Sequence, residues 1–363
     1  MRSLVLMEQG LVLGVDGERF EIRKGEKVIE RIAAAEISEV LLFGNISLTP
    51  GCTGFLLAQG IDTVFLTARG RYRGRLFGRH SPQIELRLAQ FAKWHDPHFC
   101  AAFARAIVTG KVANQRNLLL RAQRELKVEP LATATAEMRR VLGLLAQASD
   151  VEALRGLEGR AAAVYFRVFG MCLRNPAFSF SKRTRRPPRD PVNAMLSFGY
   201  TMLNTRMESF ILRAGLDSIL GTFHAPESGR PSLALDLIEE FRPIVVDSLV
   251  LRLVNRRQVT PDDFEEHLGQ GDENGLAVDD EAEPAVETGD TSASEEAAKS
   301  AVWLGETGRR VFFREWGKRL RESIFYEPRV EVRTIEDIMQ LQVYHYARVI
   351  RGEDSVYVPF VPR

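Results

Sequence analysis

Residues 221–243 read GTFHAPESGRPSLALDLIEEFRP. Pro226, Gly229 and Pro231 break regular structure, so His224 falls in a loop. Ser232 is the expected N-cap of a helix running over Leu233, Leu235, Leu237 and Ile238. Pro243 ends or kinks that helix, or opens the next one at its first position. Asp236, Glu239 and Glu240 stand at i, i+3 and i+4, which gives Asp236 a helix face in common with both glutamates. One imidazole and two or three carboxylates at one helix end form a donor set suited to Mg2+ or Mn2+. An acidic helix face is equally what a solvated helix shows, so the rest of the chain must decide.

Upstream, residues 1–80 read as a small β-rich domain. Short apolar runs at Leu4–Leu6, Leu11–Leu13, Phe20–Ile22, Val40–Phe43 and Thr63–Leu66 are separated by turn pairs such as Asp16-Gly17 and Lys24-Gly25. Residues 51–60 read as a short helix between strands. The final strand alternates arginine with other residues, and a period of two places Arg71, Arg73 and Arg75 on one sheet face. Such a row suits a phosphate backbone, or it charges an edge strand against sheet-to-sheet pairing.

From about residue 81 the periodicity is helical. A long amphipathic helix spans 99–126, Asp150 is the expected cap of the next, and Asp190-Pro191 open another that runs to about Arg213. Glu158 lies among Gly156, Gly159 and Ala161–Ala163, small residues that permit close approach of a helix or ligand. A carboxylate there is exposed or functional, and if buried it needs a partner such as a metal ion. Residues 178–189 carry five basic residues among aromatic and hydroxyl groups, so Arg183, Arg185 and Arg186 are candidate phosphate contacts, with Arg230 in the His224 loop beside them. A solvated basic loop has the same composition.

The net charge of +1 conceals an asymmetry: residues 262–300 hold fourteen acids and one base, leaving 48 basic against 34 acidic residues elsewhere, a net of +14. That balance favours a polyanionic partner over a small substrate. Residues 269–298 are too polar and too rich in Gly, Ala and Ser to fold alone, and read as a flexible acidic insertion within about 265–300. Three scattered cysteines, Cys52, Cys100 and Cys172, make no zinc or disulfide pattern and suit a reducing cytoplasm. No apolar run is long enough to span a membrane, and Glu8 falls too early for a signal peptide.

With these residues in view, the chain resembles the CRISPR-associated integrase and endonuclease family, the endonuclease-like subunit of the spacer-acquisition complex. The resemblance rests on LRGLEGRAAAVYF at 154–166, DPVNAMLSFGYTML at 190–203, the His224 loop and SLALDLIEEFRP at 232–243, with weaker support from VTGKVANQR at 108–116 and the closing Tyr357, Pro359 and Phe360. It implies an α+β chain: a β-rich N-terminal domain, residues 1–80, used for dimerisation, and an all-helical catalytic domain, residues 81–363. It further implies a metal triad of Glu158, His224 and Glu239 holding Mg2+ or Mn2+, with Asp236 supporting the site or helping to hold a second ion. The implied partners are double-stranded DNA (the incoming fragment and the CRISPR repeat), a second copy of the chain, and a small ferredoxin-like subunit whose dimer two such homodimers flank.

The implied reaction is phosphodiester transfer. The nucleophile is the 3′-hydroxyl of a short DNA fragment in integration and water in hydrolysis, with no covalent intermediate on a side chain. Two rival readings stand beside it. One is a catalytically idle DNA-binding scaffold of the same complex, against which the intact Glu158, His224 and Glu239 speak. The other is a metal hydrolase of small phosphoesters, against which the basic charge of the folded part speaks.

Overall fold

A computed structural model describes residues 2–78, 83–184, 187–268 and 300–362. The acidic insertion expected at 269–298, and Arg185 and Arg186, lie outside these described residues. The chain divides into two compact units, with the division between Ser81 and Pro82.

The first unit holds two four-stranded sheets. One has the order β4 (Lys27–Ala33), β3 (Arg19–Lys24), β2 (Leu11–Asp16) and β6 (Ser47–Leu48); the other has β1 (Arg2–Leu6), β5 (Ile37–Phe43), β7 (Asp62–Leu66) and β8 (Tyr72–Leu76). Strands β2, β3 and β4 form an antiparallel meander. Its turns fall at Gly17 and Gly25, which take φ of +57° and +59°, the left-handed region where a glycine carries no Cβ penalty. Strands β1, β5 and β7 are parallel and β8 closes the sheet antiparallel. Leu6, Leu13, Phe20, Ile22, Val40, Leu42 and Leu56 fill the core of this unit. Helix α1 (Pro50–Gln59) is capped by Thr49, whose hydroxyl accepts the Cys52 N–H at 3.2 Å.

The second unit is largely helical: α2 (Ile84–Trp94), α3 (Pro97–Leu126), α4 (Glu129–Leu145), α5 (Val151–Phe169), α6 (Pro191–Ala214), α7 (Ser232–Ile238), α8 (Ser248–Asn255), α9 (Glu306–Leu320) and α10 (Ile335–Arg351). The expected caps are in place: Asp150 accepts the Ala153 N–H and Asp190 the Asn193 N–H, each at 2.8 Å. Helix α6 is buried over most of its length, and a Cβ on Gly199 would come within 2.5 Å of Val246 Cγ1 and 3.1 Å of the Phe312 ring. The central helix is thus packed to backbone contact with its neighbours.

The unit is not all-helical. Strands β9 (Phe264–Leu268) and β10 (Ser300–Leu304) pair antiparallel, as do β11 (Ser323–Tyr326) and β12 (Glu331–Thr334). Before α8, Arg242–Asp247 wind as a π turn. Helix α7 begins at Ser232 behind Pro231, so Ser232 does not cap it; its hydroxyl donates to the Ala225 carbonyl at 3.1 Å.

Candidate active site

Three helices and one loop meet around Glu239. Helix α7 delivers Asp236 from its last turn, and Glu239 follows at its end with helical backbone angles. Helix α5 delivers Glu158, the loop between α6 and α7 delivers His224, and α3 delivers Lys111. Glu158, His224, Asp236 and Glu239 are all at most 7% exposed, and Asp236 is fully buried.

Asp236 organises the loop. Its Oδ2 accepts the backbone N–H groups of Thr222 at 2.6 Å and Phe223 at 3.1 Å, and its Oδ1 accepts that of His224 at 2.8 Å. The imidazole Nδ1 lies 2.7 Å from the same Oδ1. A carboxylate that already accepts three backbone donors takes a fourth from Nδ1–H, which leaves Nε2 as the imidazole's free lone pair. Nε2 faces Glu239, whose Oε1 is 3.7 Å away. Asp236 thus ties three loop amides and the His224 ring to the last turn of α7.

The loop is braced from two further sides. Arg155, one turn before Glu158 on α5, donates to the Phe223 carbonyl from Nη2 at 2.7 Å and from Nε at 3.3 Å. On α2, Trp94 Nε1 donates to the Gly221 carbonyl at 3.0 Å, and Gln90 exchanges two hydrogen bonds of 2.9 Å with the Asp217 backbone. A Cβ on Gly221 would sit 2.6 Å from the Ser232 Cβ and 2.8 Å from the His224 carbonyl oxygen, so the loop closes on α7 only with glycine there.

Lys111 stands between the two glutamates. Its ammonium pairs with Glu158 Oε1 and lies 2.8 Å from Glu239 Oε2. Arg242 adds a second cation, Nη2 being 3.6 Å from Glu239 Oε1. Burial pushes the Glu239 carboxyl up, but Arg242, Lys111 and His224 outweigh it and hold the group below the usual carboxylate range.

Glu240 points elsewhere. Its Oε1 accepts the Tyr357 hydroxyl at 2.8 Å and the Gln342 amide at 3.2 Å, and its Oε2 accepts the Phe360 N–H. Burial pushes this carboxyl up to about 8 against those donors. Asn114 ties the same place together, donating to the Glu240 and Phe360 carbonyls at 2.8 Å each. Glu240 thus anchors the extended C-terminal tail on the site helix and is no member of the cluster, contrary to the shared face expected for it.

Behind Glu239, Tyr165 and Tyr200 donate to Asp247 Oδ2 and Oδ1 at 2.7 and 2.6 Å, and Arg242 lies over the Tyr200 ring with its guanidinium carbon 4.9 Å from the centroid. Burial raises the Asp247 carboxyl to about 6, with both hydroxyls and Arg242 opposing it. The folded protein then holds this proton up to about pH 6, whereas the unfolded chain releases it near the ordinary aspartate value of 3.8. Stability from this group is full below that window and falls as pH rises through it, by on the order of 3 kcal/mol. Asp247→Asn should flatten the difference in melting temperature between pH 4 and pH 6 relative to the parent protein.

The small residues around Glu158 divide: Ala161 and Ala162 are buried, whereas Gly156 and Gly159 border open space. A Cβ on Gly156 or Gly159 would meet nothing within 4 Å, whereas one on Gly110 would come within 2.6 Å of the Pro359 Cβ and 3.2 Å of the Glu240 Cβ. Of these glycines, Gly110 on α3 is the one packed tightly against its neighbours.

The basic candidates separate. Arg75 lies in the first unit, 5% exposed, with Nη1 3.0 Å from Asp62 Oδ2. Arg71 precedes β8, and a register shift between Phe65 and Leu66 leaves the exposed Arg73 in a bulge. The bulge breaks the two-residue alternation, so the three arginines do not form one open row. Arg183 donates to Asn193 Oδ1 at 2.8 Å, the Thr184 carbonyl at 2.7 Å and Ser197 Oγ at 3.0 Å, which fixes the basic loop on α6. Arg230 is 6% exposed and reaches Glu227 at 3.3 Å. Arg73 is the exposed member of the described set, whereas the Arg75 and Arg230 side chains are 5% and 7% exposed and pair with Asp62 and Glu227.

Sequence reasoning missed Lys111, Arg155 and Arg242. Lys111 falls on the buried face of α3 with Ala104, Ile107, Val108 and Gln115, and a lysine in such a stripe demands a buried anion. Arg155 stands three residues before Glu158, on the same face.

The donor chemistry suits a divalent cation. The Lys111 ammonium is within ion-pair distance of both carboxylates, and the imidazole Nε2 is 3.7 Å from one of them. In their present arrangement no three His, Cys, Asp or Glu side chains among the described residues stand close enough together to hold an ion.

Fold and cluster together define a two-unit α+β protein, strand-rich first and helix-rich after, with a His–carboxylate site in the helical unit. The family model for CRISPR associated protein Cas1 matches residues 4–287, and the chain belongs to that family. The CRISPR-associated endonuclease Cas1 2 of Rhodospirillum rubrum is 33% identical over 372 residues, spanning 99% of this chain and 98% of that protein. Among solved structures, a casposase bound to integration product superposes with a TM-score of 0.78 at 21% identity, covering 99% of this chain and 93% of that one. A chain of a Cas6-RT-Cas1–Cas2 complex superposes with a TM-score of 0.77 at 23% identity, covering all of this chain and 36% of that one. At these identities the two structures speak for the fold.

Proposed function

We propose that the chain is a divalent-metal-dependent DNA integrase and endonuclease of CRISPR adaptation, which joins the 3′-hydroxyl ends of short DNA fragments into the CRISPR array. The observation that carries this reading is His224, its ring fixed by Asp236 so that Nε2 faces Glu239 beside Glu158. The relative in Rhodospirillum rubrum named as an endonuclease and the casposase fold neighbour support it.

Glu158, His224 and Glu239 would hold Mg2+ or Mn2+, which supplies Lewis-acid activation of the scissile phosphate. The other residues position. Asp236 sets the tautomer, Arg155 locks the loop backbone to the Glu158 helix, and Glu240 ties the tail to the Glu239 turn. In strand transfer the attacking 3′-oxygen forms a bond to phosphorus as the bond to the leaving 3′-oxygen breaks. The attacking hydroxyl loses its proton and the leaving oxygen gains one. Water replaces the hydroxyl in hydrolysis, and no side chain becomes covalently attached.

The first unit serves as the homodimer contact, and a small ferredoxin-like subunit completes the complex in the cytoplasm. The neighbour taken from a complex containing Cas2 supports the partner. No helix among the described residues is long and apolar enough to cross a membrane.

The test is Glu158→Gln, which keeps size and loses charge. Strand transfer should fall on the order of a thousandfold, while duplex affinity stays within about twofold. A parallel fall in binding would make Glu158 a structural residue and contradict the reading.

A further inference from the structure

A lysine ammonium within ion-pair distance of two buried glutamates is placed where those glutamates need positive charge. Lys111 is 5% exposed and is among the buried residues of α3, with Val108 and Val112. Its helix cannot drift from the site, because Gly110 packs against Glu240 and Pro359 and Asn114 bonds the Glu240 and Phe360 carbonyls. Four features therefore coincide: a fixed helix, a buried stem, an ammonium between Glu158 and Glu239, and a histidine nitrogen facing the other carboxylate oxygen of Glu239.

We propose that Lys111 is the internal counter-cation of the Glu158–His224–Glu239 site, holding the two carboxylates together and yielding them to a divalent ion that competes for the same oxygens. This rests on the metal reading given above and adds a positioning residue that reading does not contain. Lys111 sets how strongly the site takes a divalent ion: with the ammonium present the ion must displace a bound cation, and without it the ion enters a site one positive charge poorer, with Arg242 still 3.6 Å from Glu239. Arg242 is less able to replace Lys111, because it reaches Glu239 at 3.6 Å and is stacked on Tyr200.

The experiment uses the full chain, with Mn2+ as the probe. Lys111→Met keeps the stem volume and removes the charge. In EDTA its melting temperature should lie below that of the parent, because two buried carboxylates have lost their counter-cation. Calorimetric titration should show Mn2+ binding about tenfold tighter than to the parent, and added Mn2+ should raise its melting temperature by more. The double variant Lys111→Met with Glu158→Gln should recover melting temperature in EDTA relative to Lys111→Met alone, a coupling that loss of packing would not produce. The inference is overturned if the parent binds Mn2+ and Lys111→Met binds it no tighter, or if the double variant is only further destabilised. If the parent itself binds no Mn2+, the metal reading fails and this inference falls with it.

Discussion

His224→Ala is expected to lower strand transfer and metal-dependent nicking by about a thousandfold while the protein stays folded and binds duplex DNA as before. The imidazole has two ends with different duties. Nδ1 is held by Asp236, and Nε2 is the end facing Glu239. Alanine removes the only nitrogen donor of the proposed triad. The fold should survive, because Asp236 keeps the backbone N–H groups of Thr222, Phe223 and residue 224. Loss of the ring contact should cost about 1.5–3 kcal/mol, the net value of one hydrogen bond to a charged group. The check is paired: joined product per unit time, and the midpoint of urea unfolding. Activity retained within tenfold would remove His224 from the site.

Asp236→Ala is expected to have the largest effect on stability of any single change at the site. Three consecutive backbone N–H groups and one imidazole nitrogen turn to this carboxylate. Alanine leaves the buried donors without an acceptor. Each such loss is worth about 1–3 kcal/mol and the losses are not additive, so the total should be on the order of 4 kcal/mol. The His224 loop should then open, and activity should vanish with it. Asp236→Asn, which keeps one acceptor oxygen, should fall between the parent and alanine in stability. Hydrogen exchange at Thr222, Phe223 and His224 reports the cause directly, since these amides should lose protection before the rest of the unit does. The pair separates two duties: His224→Ala should lose activity and keep the loop, whereas Asp236→Ala should lose both.

The local signals were legible in the sequence. Asp150 and Asp190-Pro191 marked their helices because capping is chemistry within three residues. The first unit's sheets followed from turn pairs such as Asp16-Gly17. Strand β4 was missed because Lys27–Ala33 carries charge at three of its seven positions, as an edge strand can. The hairpin β11–β12 was missed because four-residue runs such as Ser323–Tyr326 carry too few positions for a period to show. At the site, His224 and Glu239 stood out from one short stretch. The roles of Lys111 and Glu240 did not, because their partners lie 47 and 117 residues away in the chain. The arginine row at 71–75 shows the opposite failure. Its alternation was correct in sequence, and a bulge with one buried ion pair to Asp62 undid it.

The measurement that tests the central claim most directly is strand transfer of a labelled short duplex into a supercoiled plasmid carrying a CRISPR repeat. It is run with Mn2+, with and without the small partner subunit, alongside the His224→Ala protein. The expected result is label joined to plasmid by the parent protein, absent with EDTA and absent with His224→Ala. Joining that persists undiminished with His224→Ala, or no metal-dependent product of any kind from the parent with its partner, would contradict the account.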